Sequence, residues 1–300
     1  MRPTHSILAL AASVALTAAV AVTSGAASAA DRTGAASAAR RTVAWAPAGT
    51  ATITPGVQTN TAGSGQCTAN FVLTDAAGSV YVGQAAHCSG LGAATDTDGC
   101  DAGALPLGTK VTFNRAGSIV TSGTRVGAGK LAYSSWNTMQ RLGEKDANTC
   151  AYNDFALVRV NAGDVASVNP SIPFWGGPVG INTTGTAAGD RVFSFGNSGL
   201  RGGIEQLSPK TGVSLGQDAA DGGWTHPLYT VTPGIPGDSG SAFLDASGAA
   251  LGTLSTLGLA PLPASNNIGD FSHELAYAKQ HSGIAGLRLA HGTEPFDPIL

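Results

Sequence analysis

From about Ala51 onward, hydrophobic and polar residues alternate in short segments, at 68–74, 111–114, 155–160, 192–195 and 251–254. Each is long enough for a strand and too short for a stable helix. In the first of them Ala69, Phe71 and Leu73 share one face, and Asn70, Val72 and Thr74 the other. Breaker clusters such as Asn169-Pro170, Gly176-Gly177-Pro178 and Pro233-Gly234 separate the segments. That rhythm predicts a sandwich or barrels rather than parallel βαβ units. One helix stands out late in the chain, with Ser272 placed to cap it, Gly283 to stop it, and Leu275, Ala276 and Ala278 toward a core. Beyond it, residues 291–300 carry Gly292, Pro295 and Pro298 and are expected to form a mobile tail.

The N-terminal pattern is of another kind. Arg2 and His5 precede an apolar run over 7–22, and the small residues Ala26, Ala27, Ser28, Ala29 and Ala30 follow, which predicts a secretory signal peptide over 1–29. The run nearly reaches the length of a membrane span, but the small residues after it and the lack of a flanking basic cluster favour cleavage. Arg40-Arg41 lies after the apolar run and is not a twin-arginine export signal. Residues 30–42, rich in Ala and Arg without apolar periodicity, read as a short propeptide or disordered N-terminus. What remains suits two modest β domains, 43–168 and 169–290. The expected destination is extracellular.

Composition sharpens this. Glycine, at 42 of 300 residues, is about twice its usual ~7% share, and the abundant Val and Thr between glycines favour short strands with tight turns. With hydrophobic residues at 43% and charged ones at 12%, the chain is too apolar for intrinsic disorder. A net charge of -3 with no basic block excludes the electrostatic footprint of a nucleic-acid or anionic-membrane binder. Export makes disulfides the default for Cys67, Cys88, Cys100 and Cys150. The absence of a C-x-x-C pair argues against zinc, no metal or cofactor is expected, and spacing alone leaves three pairings open.

Three segments carry chemistry: GQAAHC at 83–88, NDFALVRV at 153–160 and GIPGDSGSAF at 234–243. Hydrolysing an amide near neutral pH needs an activated nucleophile, a base that takes and returns its proton, and a group that orients the base. Serine, histidine and aspartate supply these. Gly237-Asp238-Ser239-Gly240 before the apolar Ala242-Phe243-Leu244 suits a turn of small residues presenting backbone donors. Asp154 opens an apolar strand, whereas Asp96, Asp98, Asp101 and Asp146 read as turn residues, and His5, His226, His273, His281 and His291 as structural or exposed.

At these residues the sequence resembles the chymotrypsin-like serine proteases of secreted bacterial type, whose histidine sits in Ala-Ala-His-Cys and whose serine sits in Gly-Asp-Ser-Gly. The resemblance implies an all-β fold of two packed six-stranded antiparallel barrels with a short C-terminal helix. It implies His87 as base, Asp154 as orienting carboxylate and Ser239 as nucleophile, with an oxyanion hole from the Gly237 and Ser239 amides. It also implies a Cys67–Cys88 bridge, which leaves Cys100 with Cys150, a pair outside the family's common pattern. The substrate would be a protein or peptide and the chain a monomer.

The chain departs from the family in places. Residues 89–106 look like an insertion, and the disulfides near the serine are missing. In digestive members a newly cut N-terminus pairs with the aspartate before the nucleophile, here Asp238. Val43 after Arg41-Thr42 suits such a zymogen route but lacks the usual Gly-Gly hinge. Some bacterial members use an internal arginine, which the sequence does not identify here. The specificity pocket implied by the resemblance has Pro233 at its base and Ser255 and Thr256 on its wall, none of them charged, and Asp270 on the far wall is the one acid that could alter that. An uncharged pocket predicts cleavage after uncharged residues. Two other readings stand at this stage: a catalytically silent binding protein on a protease scaffold, and an acyl hydrolase preferring esters.

Overall fold

The computed structural model describes residues 42–92, 97–217, 219–258 and 263–298. The signal-peptide expectation, the propeptide expectation up to residue 41, and the turn role of Asp96 lie outside the described residues.

The first part of the chain builds β1 (Gln58–Thr61), β2 (Gln66–Thr68), β3 (Val72–Thr74), β4 (Val80–Gln84), β5 (Lys110–Arg115) and β6 (Thr124–Ser134). Two short helices, α1 (Ser135–Leu142) and α2 (Ala147–Tyr152), precede β7 (Ala156–Val160). The second part builds β8 (Arg191–Phe195), β9 (Pro209–Ser214), β10 (Thr225–Thr230), β11 (Ala242–Asp245), β12 (Ala250–Gly258) and β13 (Ser265–Asp270), followed by α3 (Phe271–His281) and β14 (Arg288–Leu289). No helix among the described residues is long and apolar enough to cross a membrane.

Two six-stranded barrels are expected, and among the described residues one closed six-stranded barrel is found beside an eight-stranded open sheet. β8 to β13 close in the order β10-β13-β12-β11-β8-β9, sealed where Leu228 to Thr230 pair with Ser214 to Gly212. The other sheet has eight strands, in the order β14-β3-β4-β7-β6-β5-β1-β2, and its ends do not pair. The cause is the segment predicted as one alternating strand over 68–74. Its partners switch sides across two residues: Ala69 exchanges backbone bonds with Val57 and Gly56, whereas Asn70 and Phe71 bond Gly83. The bend also turns the face, so Phe71 and Leu73 join one core cluster while Ala69 packs with Val72 in another. The free edge of β3 is then covered by β14, through Arg288↔Thr74 and Leu289↔Leu73. Beyond β2, the Thr68 amide donates to Ser239 O at 2.8 Å, so the outer edge of β2 meets a turn of the barrel half instead of a closing strand.

α3 forms where its periodicity places it, with Phe271, Glu274, Leu275 and Ala278 buried on one face. Ala276 falls on the opposite, exposed face. The cap is Asp270, whose carboxylate accepts from His273 N, and Ser272 lies inside the first turn instead. Asp270 still has extended dihedrals where β13 ends, which is the geometry a cap requires. Gly283, at φ 72°, follows the last turn. Phe271 joins the two halves: its ring lies 4.5 Å from Phe71 and 5.7 Å from Phe155, in a cluster that also holds Trp175, Phe193 and Leu244. The tail returns to that cluster, with Glu294 O accepting from Gly177 N, Asp297 N donating to Trp175 O, and the Phe296 ring 5.3 Å from Phe193.

Candidate active site

β4 runs into a 3-10 turn, Ala86–Ser89, which carries His87. Asp154 lies between α2 and β7, and its flanks are fixed from both sides: Ser135 Oγ donates to Asn153 O at 2.6 Å and accepts from Phe155 N at 3.1 Å. α2 is capped by Asp146, which accepts from Thr149 N at 2.8 Å and so has a role beyond a plain turn. His87 Nδ1 stands 2.6 Å from Asp154 Oδ2, and the His87 amide donates to Oδ1 at 2.8 Å. Ser255 Oγ, from β12, donates to Oδ2 at 2.7 Å. With Nδ1–H given to the carboxylate, the neutral imidazole presents Nε2 as an acceptor. Burial opposes the imidazolium, but the charge and hydrogen bond of Asp154 outweigh it and hold the His87 pKa above its ordinary value. Burial likewise opposes the Asp154 carboxylate, and His87 outweighs it, so that pKa is lowered.

Ser239 sits in the turn before β11, half-buried, between Gly237 at φ 95° and Gly240 at φ 86°. A Cβ on Gly240 would stand 2.6 Å from Thr68 O, so only glycine lets this turn close on β2. Among the described residues no protein group accepts from the Gly237 or Ser239 amide. The Gly237 carbonyl is held from behind by Thr68 Oγ1 at 2.8 Å and Gln66 Nε2 at 2.9 Å.

Below the turn, Asp238 has no exposed surface. Arg201 reaches both its oxygens, at 2.5 and 2.6 Å, and Lys210 Nζ stands 3.0 Å from Oδ2. Burial pushes the Lys210 ammonium down against the pull of Asp238, and Arg201 beside it adds to the depression. The internal cation that the sequence does not identify is thus a pair, Arg201 and Lys210. No local motif marks either, since they lie 37 and 28 positions before Asp238.

His87 and Ser239 line one cleft of about 550 Å³, together with Gln66, Trp136, Gly237, Leu254, Ser255, Thr256, Leu257 and Asn266. Ser255 and Thr256 line this cleft, while Pro233 lies one residue behind the lining Gly234, its carbonyl accepting from Lys210 at 3.3 Å. Asp270 is buried elsewhere, bound to His226 Nε2 at 2.8 Å and His273 Nδ1 at 2.9 Å.

Cys67 is bonded to Cys88 and Cys100 to Cys150, with S–S distances of 2.08 and 1.93 Å. The first bridge ties β2 to the His87 turn, and the second ties the loop after that turn to α2. Cys67, His87 and Cys88 lie close enough to suggest metal ligands, as do Asp98, Cys100 and Cys150. All four sulfurs are spent in disulfides, which removes the thiolates a metal would need.

No family model matches the chain, and no curated protein matches it. Solved structures similar to it include Thermobifida fusca Protease A, at 17% identity and a TM-score of 0.47 over 80% of this chain and 99% of that one. A Glu endopeptidase matches at 16% and 0.47 over 76% and 91%. A glutamic acid specific serine protease described as using a histidine triad in substrate binding matches at 17% and 0.42 over 75% and 96%.

Behind Asp154 lies Glu274, fully buried, accepting from Thr253 Oγ1 at 2.8 Å. Burial, with the nearby Asp154 and Asp270 charges, pushes its carboxyl well above the usual range despite that bond. A raised folded pKa means that the stability contributed by the protonated acid is full below the unfolded value and is lost as pH rises toward the folded one. Glu274→Gln, neutral at every pH, is expected to gain unfolding free energy relative to the parent as pH rises from 5 to 8, by up to about 1.4 kcal/mol per pH unit, and so to melt progressively higher than the parent. Parallel melting curves across that range would show that Glu274 is ionised in the fold.

Proposed function

We propose that this chain is a secreted serine endopeptidase that works through an acyl-enzyme. The observation that carries the proposal is the imidazole held by Asp154 in the same cleft as Ser239, whose turn presents two unengaged amides. His87 Nε2 takes the Ser239 hydroxyl proton as Oγ attacks the peptide carbonyl. The Gly237 and Ser239 N–H groups receive the oxyanion, and His87 returns the proton to the departing amine. Water then repeats the sequence on the acyl-enzyme. Asp154 fixes the tautomer and stabilises the imidazolium formed in passing. Two well-placed disulfides suit an oxidising, extracellular setting.

The direct experiment is fluorophosphonate labelling of the purified protein with the modified residue mapped by mass spectrometry, followed by turnover of matched peptide and ester substrates. Labelling at Ser239 separates an enzyme from a silent scaffold, and the turnover ratio separates a peptidase from an ester hydrolase. Ser239→Ala or His87→Ala is expected to lower kcat/KM by about four to six orders of magnitude, and Asp154→Asn by about four, with melting temperatures near the parent's. Near-normal turnover by Ser239→Ala would remove the assignment.

Because His87 acts as a neutral base, activity falls as pH drops through its pKa. Its upward shift places the midpoint of kcat/KM above the ordinary histidine value of about 6.5. A profile flat down to about pH 4 would point to a different base.

For specificity, the lining residues Gly234, Leu254, Thr256, Leu257 and Asn266 carry no charge, and Asp270 is engaged by two histidines. A charged side chain would enter without a partner and keep its desolvation cost. Peptides differing only before the cut bond should rank Leu, Ala and Phe above Arg and Glu. A preference for either charged residue of about tenfold or more is the result that would contradict this.

A further inference from the structure

The turn carrying the two unengaged amides is held in one orientation by a buried hydroxyl that lies outside the motif. Residues 235–238 close with Asp238 N donating to Ile235 O at 2.8 Å. Pro236 is second in this turn and Gly237, at φ 95°, is third, which is the signature of a type II turn. A type I turn over the same residues keeps proline second and keeps the closing bond, but rotates the central peptide by roughly 180°. A trans peptide carries its C=O and N–H on opposite sides. The rotation would therefore turn the Gly237 N–H away from the cleft that Gly237 lines.

The Pro236 carbonyl is held by Ser198, which is not among the residues that line the cleft. Ser198 Oγ donates to it at 2.5 Å. Ser198 is 1% exposed, and its own amide donates to Asp238 Oδ1 at 3.0 Å. Its oxygen also accepts from Leu200 N at 3.1 Å, so its single hydrogen is committed to Pro236. The buried Arg201, Lys210 and Asp238 cluster thus reaches the oxyanion peptide through one side chain.

Resting on the reading that the Gly237 and Ser239 amides form an oxyanion hole, we infer that Ser198 is a positioning residue whose hydroxyl holds the Pro236–Gly237 peptide with its N–H aimed into the cleft. Removing the hydroxyl takes away the one hydrogen bond that holds the Pro236 carbonyl in this orientation, so the type I form, with that carbonyl turned over and the N–H withdrawn, competes.

The test compares Ser198→Ala and Ser198→Cys with the parent, the thiol being a weaker donor of similar volume. The readouts are kcat, KM, melting temperature, and inhibition by a peptidyl trifluoromethyl ketone, whose hemiketal oxygen occupies the oxyanion position. Ser198→Ala should lower kcat by about one to two orders of magnitude with KM within about threefold. Ketone affinity should fall by the same factor as kcat, and Ser198→Cys should lie between the parent and Ser198→Ala. If Ser198→Ala does not fold, Ser198→Cys decides alone. Wild-type kcat and ketone affinity in the folded variants, or a rise in KM alone, overturns the inference while leaving the peptidase reading intact. A parent protein that neither turns over peptides nor takes the fluorophosphonate overturns that reading and this inference with it.

Discussion

The Asp238 carboxylate, with no exposed surface, must be answered from inside the protein, and the position of the Ser239 turn follows from how it is answered. Arg201 meets it at both oxygens and Lys210 at 3.0 Å, while Ser198 N and Ile235 N donate to it at 3.0 and 3.1 Å. A charge buried this deeply costs several kcal/mol unless it is paired and hydrogen-bonded. One of the bonds that satisfy it comes from Ile235 N within the turn itself, so meeting that requirement also fixes the backbone that leads into Ser239. Two cations against one carboxylate leave a surplus positive charge underneath, which the carbonyls of Thr232 and Pro233 help to solvate at 3.2 and 3.3 Å from Lys210.

The open sheet serves the same end. If β2 and β3 were one straight strand, the sheet would have no reason to stop short of closure. The bend at Asn70 turns β2 outward, and its free amide at Thr68 takes Ser239 O as partner. The seam between open sheet and closed barrel therefore runs directly beside the candidate nucleophile. His87 and Asp154 come from the sheet side, and Ser239 with Ser255 from the barrel side. Glycine at 240 permits the close approach, and Phe271 packs both sides into one core behind it.

Much of this was legible in one dimension. Strand segments at 111–114, 192–195 and 251–254 lie inside observed strands because alternation and burial on a pleated surface are the same fact. The late helix showed its buried face through Leu275 and Ala278, although the better cap, Asp270, was read for a different role. α1 and α2 were not anticipated. They are short and poor in strong helix formers, and tertiary packing of Trp136 and Met139 holds the first, while the Asp146 cap starts the second.

The sequence by itself determined what local chemistry encodes: short strands, small residues at the turns, and three motifs whose residues occupy the cleft or its immediate support. Only the tertiary structure decided which barrel closes, which cations answer Asp238, and which hydroxyl holds Pro236. The reason is physical. Alternation and turn preference depend on neighbours a few positions away, whereas Arg201, Lys210 and Ser198 acquire their roles from a buried carboxylate and from the Pro236 carbonyl, brought to them across roughly 30 to 40 residues of chain, where loop closure costs little and sequence spacing carries no signal.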